Sequence, residues 1–387
     1  MYASAEHIPT LFLLLIDNKY AIAYFEGINR LKRLSSRLKN ALFSKIKSLF
    51  NRQASMTVLT MIALILIGFH LYRQYWTHKN LAQIHFGTFD INRIEVFTIE
   101  DTVIAVQPAK NTVQKTVICF PGFTEDARYF QEAYKGCEYE VIYMGNAGYH
   151  SPFPLENSTS LDWPKNPFEM GTIEHDGFWV GQVIESLASA DNIVIHGHSR
   201  GGAVALEAGR QFPQVTKQSV SLILEAAVVP QGTPAGPMAS KVAHAVVPYL
   251  LPLLYAMNRN ISLDKLAKLP IMRPSNPLKA NLILSSFSTP KQYKIFVKNV
   301  KNLVQWQQNT DIDVYENFNK VTALIGARDD VLDCKTMISS VKEGIKRSTA
   351  MEMLQTKNTN HFITLEEPHY IHTTHGELDN KSSSVSG

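Results

Sequence analysis

Residues 192–206 read NIVIHGHSRGGAVAL, and this stretch decides the fold. The apolar run at its start predicts a short buried strand, and the Ala-rich run at its end predicts a helix. Between them, Gly197 and Gly201 bracket Ser199, which predicts a sharp turn with the serine at its tip. Glycine is favoured at both positions because a side chain there would collide with the neighbouring strand and helix. A chance Gly-x-Ser-x-Gly in a loop is the alternative, and the flanking strand and helix patterns argue against it.

Candidate partners for Ser199 lie further along the chain, each in a loop after a predicted strand. The apolar run 321–325 precedes Gly326 and Asp329, and the run 350–354 precedes His361. Asp330 is the local alternative to Asp329, and Glu225, after the strand predicted over 220–227, is a more distant one. Alternative bases are three histidines that we expect to lie in a solvated tail: His369, His372 and His375.

A second loop is a candidate part of the same site. The apolar run 115–120 predicts a buried strand that leads into Pro121-Gly122-Phe123-Thr124. An ordinary Pro-Gly turn would give the same dipeptide. Its position one strand after a predicted hairpin, and well before Ser199, favours a role in the site. Phe123 is then the candidate residue of this loop, with Thr124 as the alternative.

These motifs together resemble the α/β-hydrolase superfamily, in particular its lipase and lysophospholipase-like branches. The matching segments are FPGF at 120–123, GHSRGG at 197–202, GARDDV at 326–331 and NHF at 360–362. The resemblance covers residues 90–375 and implies a mostly parallel central sheet flanked by helices, with an inserted helical cap. The loop GNAGYHS after the fourth predicted strand departs from the pattern of many relatives, but it is not catalytic.

The resemblance also implies the role of each candidate residue. Ser199 would be the nucleophile, His361 the general base and then acid, and Asp329 the group that orients the imidazole. The backbone N–H groups of Phe123 and Arg200 would bind the oxyanion. The neighbouring His196 and His198 are expected to point elsewhere. This chemistry needs no cofactor and no metal, and we expect neither.

The N-terminal part of the chain has a different composition. Residues 1–55 hold nine Lys/Arg against three acidic residues, a net charge of +6, within a whole-chain charge of +4. The uncharged run MTVLTMIALILIGFHLY, at 56–72, is long enough to cross a bilayer. Just before it, 28–52 reads as a basic amphipathic helix suited to an anionic membrane surface. A buried core helix and an ordinary solvated helix are the respective alternatives.

The segment 231–310 is both basic and apolar. It carries ten Lys/Arg against Asp264 alone, and it includes the apolar run AVVPYLLPLLYAM at 245–257. That run contains prolines and is too short to span a membrane. A cap of this composition suits an acyl chain beside an anionic head group or an anionic membrane. A lid with a solvated basic face and an apolar underside is an equal alternative.

The sequence therefore predicts six segments. They are a basic cytoplasmic segment (1–55), a transmembrane anchor (56–73), a linker (74–90), a hydrolase core (91–230 and 311–375), a cap (231–310) and a disordered tail (376–387). Because basic residues precede the span, the N-terminus is expected in the cytoplasm and the core on the periplasmic or luminal side.

The expected activity is that of a serine hydrolase that cleaves carboxylic esters, lipid-like ones above all, at a membrane. The membrane partners would be 56–73 and 28–52, and no nucleic-acid partner is expected. An acyltransferase with the same triad, or a non-catalytic ligand-binding homologue, are the alternatives.

Overall fold

A computed structural model gives the fold. It describes residues 52–78, 93–123, 125–149, 151–236 and 290–376, together with scattered positions between 240 and 285. Nine strands form one sheet: β1 (Glu95–Ile99), β2 (Thr102–Gln107), β3 (Thr116–Phe120), β4 (Glu140–Met144), β5 (Thr159–Ser160), β6 (Ile193–His198), β7 (Val220–Glu225), β8 (Lys320–Ile325) and β9 (Met351–Gln355).

One long helix precedes the sheet, and the other described helices lie between or after the strands from β3 onward. They are α1 (Arg52–His78), α2 (Gln131–Tyr134), α3 (Ile173–Ser186), α4 (Arg200–Gln211), α5 (Pro213–Ser219), α6 (Leu263–Leu266), α7 (Pro277–Ser285), α8 (Pro290–Asn309), α9 (Cys334–Arg347) and α10 (Ile363–Glu366). In the described part of the chain, 3-10 helices cover Ala127–Phe130 and Ile312–Asn317, and residues 369–376 are also helical. The strands and the helix predicted around Ser199 are confirmed to within a few residues.

The strands run in the order β5-β1-β2-β4-β3-β6-β7-β8-β9. β1 and β2 form an antiparallel hairpin, and β2 pairs antiparallel with β4. From β4 through β9 all neighbouring strands are parallel, with Phe120 of β3 opposite Gly197 of β6. Because the carboxyl ends of parallel strands share one edge, the loops after β3, β6, β8 and β9 all open at that edge.

Both faces of the sheet are buried, which explains why its central strands are mostly apolar. One face packs on α3, α4 and α9, with Ile118, Ile195 and Leu224 pointing into that core. The other packs on the first 3-10 helix, α2, α7 and α10, with Val117 and Val194 pointing into it. These two layers hold the sheet edge that carries the candidate site.

The predicted span lies within α1. Its apolar part, Met56–Tyr75, has a mean hydropathy of 1.7, and none of it is buried against the rest of the protein. Length and composition make it a candidate membrane helix. The basic segment 28–52, apart from its last residue, and most of the predicted linker and tail lie outside the described residues.

The chain between β7 and β8 contains α6, α7 and α8, so this part of the predicted cap is helical. The apolar run 245–257 lies almost wholly outside the described residues. α7 contacts the core through Lys279, whose Nζ lies 2.6 Å from the Glu366 carboxylate with both side chains fully buried. Asn276 donates to the carbonyl of Leu365 at 2.9 Å. These bonds attach α7 to the segment that follows His361.

Candidate active site

Ser199 occupies a sharp turn between β6 and α4. Its φ of 50° and ψ of −119° lie outside the regions that a non-glycine residue normally adopts. The N–H of Ser199 donates to Glu225 O at 2.9 Å, and its carbonyl accepts from the N–H groups of Gly202 at 3.1 Å and Val228 at 2.9 Å. These bonds hold the strained conformation in place. The serine is 5% exposed.

The two glycines of the motif are required by close packing. A Cβ at Gly197 would lie 2.6 Å from the carbonyl oxygen of Gly201, and one at Gly201 would lie 2.0 Å from the carbonyl oxygen of Phe120. Both obstacles are backbone atoms, which cannot move aside. The turn is therefore the tight strand-to-helix elbow that the spacing predicts.

His361 and Asp329 meet at the edge of the sheet beside this elbow. Nδ1 of His361 lies 2.9 Å from Oδ2 of Asp329, and both side chains are buried. Oδ1 of Asp329 accepts from the N–H groups of Val331 at 2.8 Å and Leu332 at 2.9 Å. Because the carboxylate can only accept, the His361 proton belongs on Nδ1, which leaves Nε2 as the basic nitrogen.

The alternative acids bind elsewhere. Oδ2 of Asp330 accepts from the side-chain amide of Asn360 at 2.8 Å. Glu225 is fully buried and bonds to His196 Nε2 at 2.7 Å. Burial raises the pKa of Glu225, but the bond from His196 and the nearby His198 outweigh it and bring this pKa to about 2. Both carboxylates are therefore committed to partners other than His361.

The three alternative bases differ in how exposed they are to solvent. His369 and His372 are exposed, as expected for a solvated tail. The expectation is wrong for His375, which is 5% exposed and bonds through Nε2 to the Tyr134 hydroxyl at 3.0 Å. Burial lowers the pKa of His375 well below its ordinary value. It lies under α2 because the helical segment 369–376 folds back on the core, which the polar sequence does not reveal.

The loop after β3 lies directly against Ser199. A Cβ added to Gly122 would be 2.8 Å from the Cβ of Ser199, so only glycine allows this approach. The ring of the next residue, Phe123, packs edge-on against Phe296 of α8 at 5.5 Å between centroids. Thr124, the alternative donor, lies outside the described residues. The loop therefore touches Ser199 at Gly122, the residue directly before Phe123.

A buried glutamate that the sequence did not single out holds this loop. Oε2 of Glu125 accepts from the N–H of Gly122 at 2.8 Å and lies 2.7 Å from Nδ1 of His198. The other ring nitrogen of His198 lies 3.0 Å from the carbonyl oxygen of His361. An acid three residues beyond the loop glycine was the available signal, but its partner could not be read without the strand order.

The Gly122 carbonyl is held from the opposite side. It accepts from the Asn146 side-chain amide at 3.0 Å, and Asn146 in turn accepts from the Arg200 guanidinium. The guanidinium also pairs with Asp176 at 2.7 Å, and all three side chains are buried. The Arg200 charge lowers the pKa of Asp176 against the raising effect of burial. No local sequence pattern marks this pair, because Asp176 and Arg200 lie 24 residues apart along the chain.

Among the residues described, no group of three or more His, Cys, Asp or Glu side chains is arranged to hold a metal ion. The free thiol of Cys119 is buried in β3, and burial raises its pKa well above the ordinary value.

Comparison with known proteins gives the fold a name. No family model matches the chain. A Mycoplasma genitalium protein named as an esterase/lipase is 33% identical over 116 residues. That alignment spans 30% of this chain and 37% of the relative, little more than a third of its length.

Solved structures cover far more of the chain. A bacterial membrane phospholipase A is 14% identical with a TM-score of 0.54, covering 88% of this chain and 98% of its own. A lipase structure from Acinetobacter baumannii is 19% identical with a TM-score of 0.51, covering 76% and 92%. A thermophilic esterase from Thermogutta terrifontis is 15% identical with a TM-score of 0.51, covering 75% and 99%. The chain adopts the α/β-hydrolase fold, as the motifs predicted.

Proposed function

We propose that this protein is a serine hydrolase that cleaves carboxylic esters through an acyl-serine intermediate. Ser199 is the nucleophile, His361 the general base and acid, and Asp329 the residue that orients His361. The observation that carries the proposal is the 2.9 Å bond between His361 Nδ1 and Asp329 Oδ2, beside a serine with a φ of 50°. A basic histidine and a strained serine at one sheet edge are what acyl transfer needs.

The reaction follows from these positions. As Ser199 Oγ attacks the ester carbonyl carbon, its proton passes to Nε2 of His361, and the carbonyl π electrons move to the oxygen. The N–H groups of Phe123 and Arg200 stabilise that oxyanion, each by about 3 kcal/mol. His361 then returns the proton to the departing alkoxide, and the acyl group stays on the serine. Water, deprotonated by His361, releases the acid by the same steps.

We propose a lipid-like ester as the substrate class. Three features support it: the apolar helix α1, whose apolar side chains are not buried, the excess of basic residues before it, and the basic composition of 231–310. One of the solved structures with this fold is named as a membrane phospholipase A. An enzyme held at a bilayer by α1 meets acyl chains at high local concentration, so anchoring and lipid chemistry support one another.

We also propose that α1 crosses the membrane once, with residues 1–55 in the cytoplasm. The excess of Lys and Arg before the span supports this orientation. The hydrolase core would then lie on the periplasmic or luminal side. Protease protection in sealed membrane vesicles tests this orientation. If a protease added on the cytoplasmic side digests the hydrolase core, the proposed orientation is wrong.

A fluorophosphonate probe tests the reaction class on the full chain in detergent. We expect labelling of the wild type, and loss of both labelling and p-nitrophenyl ester hydrolysis in Ser199→Ala. The matched control is Ser221→Ala, which changes another serine of the same sheet, in β7. Hydrolysis that survives Ser199→Ala would refute the proposed nucleophile. Labelling without hydrolysis would point to acyl transfer to another acceptor.

The substrate class is tested separately with p-nitrophenyl esters of increasing acyl length. We expect kcat/KM to rise from acetate to medium and long chains, because each buried methylene contributes about 0.8 kcal/mol. A preference for acetate would contradict a lipid substrate while leaving the serine chemistry intact.

A further inference from the structure

His198 lies directly before the proposed nucleophile, and its two ring nitrogens face two buried acceptors, Glu125 and the His361 carbonyl. Its Nδ1 lies 2.7 Å from Oε2 of Glu125, and its Nε2 lies 3.0 Å from the carbonyl oxygen of His361. The ring is fully buried. A carbonyl oxygen and a carboxylate only accept hydrogen bonds, so both nitrogens of His198 must donate. The ring is therefore an imidazolium, paired with one carboxylate.

The residues around His198 favour this charge. The Tyr129 ring stacks on it at 4.0 Å between centroids, and the His361 ring lies at 4.9 Å. Burial lowers the pKa of His198, but the Glu125 carboxylate outweighs it, with smaller help from Glu225, and the pKa rises to about 9. The groups that face it are thus two carboxylates, one phenol and one imidazole.

Each partner of His198 belongs to a different part of the site. Glu125 also accepts from the N–H of Gly122, whose backbone touches Ser199. The carbonyl that His198 contacts belongs to His361, the proposed base. One buried ion pair therefore joins three loops of the sheet edge: the oxyanion loop after β3, the elbow after β6 and the base loop after β9. A displacement of about 1 Å in such a site costs roughly a hundredfold in rate.

We propose that Glu125 and His198 form a positioning pair, which sets the oxyanion loop and the base against Ser199 only while His198 carries its proton. This inference rests on the roles proposed for Ser199 and His361. Neither member of the pair touches the substrate. When His198 loses its proton, one ring nitrogen stops donating, and either the Glu125 bond or the His361 bond is lost.

The shared oxygen makes Glu125→Gln an informative variant. Oε2 accepts from both Gly122 N–H and His198 Nδ1. If the glutamine NH₂ takes this position, two N–H donors face each other at Gly122 and neither bond forms. If the amide oxygen takes it, the imidazolium of His198 has no counter-charge. With a neutral glutamine in that orientation, His198 loses its proton at a lower pH, and the neutral ring can donate to only one of its two acceptors. Glu125→Asp keeps the charge on a shorter side chain and serves as the conservative variant.

The experiment measures kcat and KM of the full chain in detergent from about pH 6 to 10. For the wild type we expect kcat to fall with a midpoint near 9. For Glu125→Gln we expect kcat to fall by at least about tenfold at neutral pH, KM to change by less than about threefold, and the alkaline decline to move at least about one pH unit lower. Glu125→Asp should return the decline toward pH 9 and recover part of kcat.

His196→Gln is the matched control. His196 lies two residues earlier on β6, is equally buried and also bonds to a glutamate, Glu225, at 2.7 Å. Its described bonds go to Glu225 and Tyr134, not to either loop of the site. We expect it to lower thermal stability but to leave kcat and its pH dependence as in the wild type.

The results separate the possible roles. A Glu125→Gln enzyme with wild-type kcat and pH dependence would overturn the inference, and so would a loss of kcat that Glu125→Asp does not relieve and that leaves the alkaline midpoint unchanged. If Glu125→Gln does not fold, the wild-type profile decides: a kcat that stays flat up to about pH 10, with tryptophan fluorescence unchanged, refutes the pair's role. Failure of the proposed function shows differently, as hydrolysis that persists in Ser199→Ala.

Discussion

Replacing Asp329 by Asn tests the proposed site with the least change in shape. Oδ1 of Asp329 accepts from two backbone N–H groups, at 2.8 Å from Val331 N and 2.9 Å from Leu332 N. In Asp329→Asn the amide oxygen must take that position, because the amide nitrogen there would leave two buried donors unpaired, at about 1–3 kcal/mol each. The amide NH₂ then faces His361 and donates to Nδ1.

This orientation reverses the tautomer of His361. With Nδ1 accepting, the ring proton moves to Nε2, so the nitrogen that should take the Ser199 proton already carries one. In a serine-protease triad the same substitution lowers kcat about 10⁴-fold. At about 1.4 kcal/mol per tenfold, that loss is about 5.5 kcal/mol of transition-state stabilisation. We expect a loss of similar size here, since the amide orientation is fixed by the two N–H donors.

The assay is steady-state hydrolysis of a p-nitrophenyl ester, with thermal unfolding measured on the same samples. Asp330→Asn is the matched control, because Asp330 bonds to Asn360 and not to His361. We expect it to keep kcat within about tenfold of the wild type. The reasoning is refuted if Asp329→Asn keeps more than about a tenth of wild-type kcat while folded, or if Asp330→Asn loses as much activity.

Three further predictions concern stability. Lys279→Met leaves the Glu366 carboxylate buried without its 2.6 Å partner, and we expect a loss of about 3–5 kcal/mol, read as a lower urea midpoint. His198 has a folded pKa of about 9 against an ordinary value of 6.5, so its contribution to stability is fully present below pH 6.5 and is lost as pH rises through 9. Thermal midpoints should therefore fall over that range more in the wild type than in a Glu125→Gln variant. Gly201→Ala places a Cβ 2.0 Å from the Phe120 carbonyl oxygen, and we expect too little folded protein to detect by thermal unfolding or probe labelling.

The elbow could be predicted because its causes are local. Gly197 and Gly201 are needed because a Cβ at either position would clash with nearby backbone atoms. The apolar run before the motif and the Ala-rich run after it predict a strand and a helix. The positions of Asp329 and His361 were also readable, since each follows an apolar strand at the same edge of a parallel sheet. For Asp329 and His361, it was enough to know that site residues follow the carboxyl ends of parallel strands.

The bonds that organise the site were not readable in this way. Glu125 meets His198 because β3 lies beside β6, although 73 residues separate the two side chains along the chain. Asn146 meets Arg200 through β4, which is the next strand outward. Strand order is set by how the crossover helices cover the two faces, and no single segment of sequence encodes it.

β6 shows why side-chain chemistry alone misleads. His196 and His198 alternate with Ile195 and Gly197, a pattern that for an isolated strand predicts one face in water. Instead both histidines are fully buried, and each bonds to a different glutamate: Glu225 from β7 for His196, and Glu125 from the loop after β3 for His198. A buried histidine is tolerated only when its nitrogens are satisfied, so the two glutamates explain how β6 can be polar and central at once. The strand that leads into Ser199 is therefore held by histidine–glutamate hydrogen bonds on one face and by apolar contacts on the other.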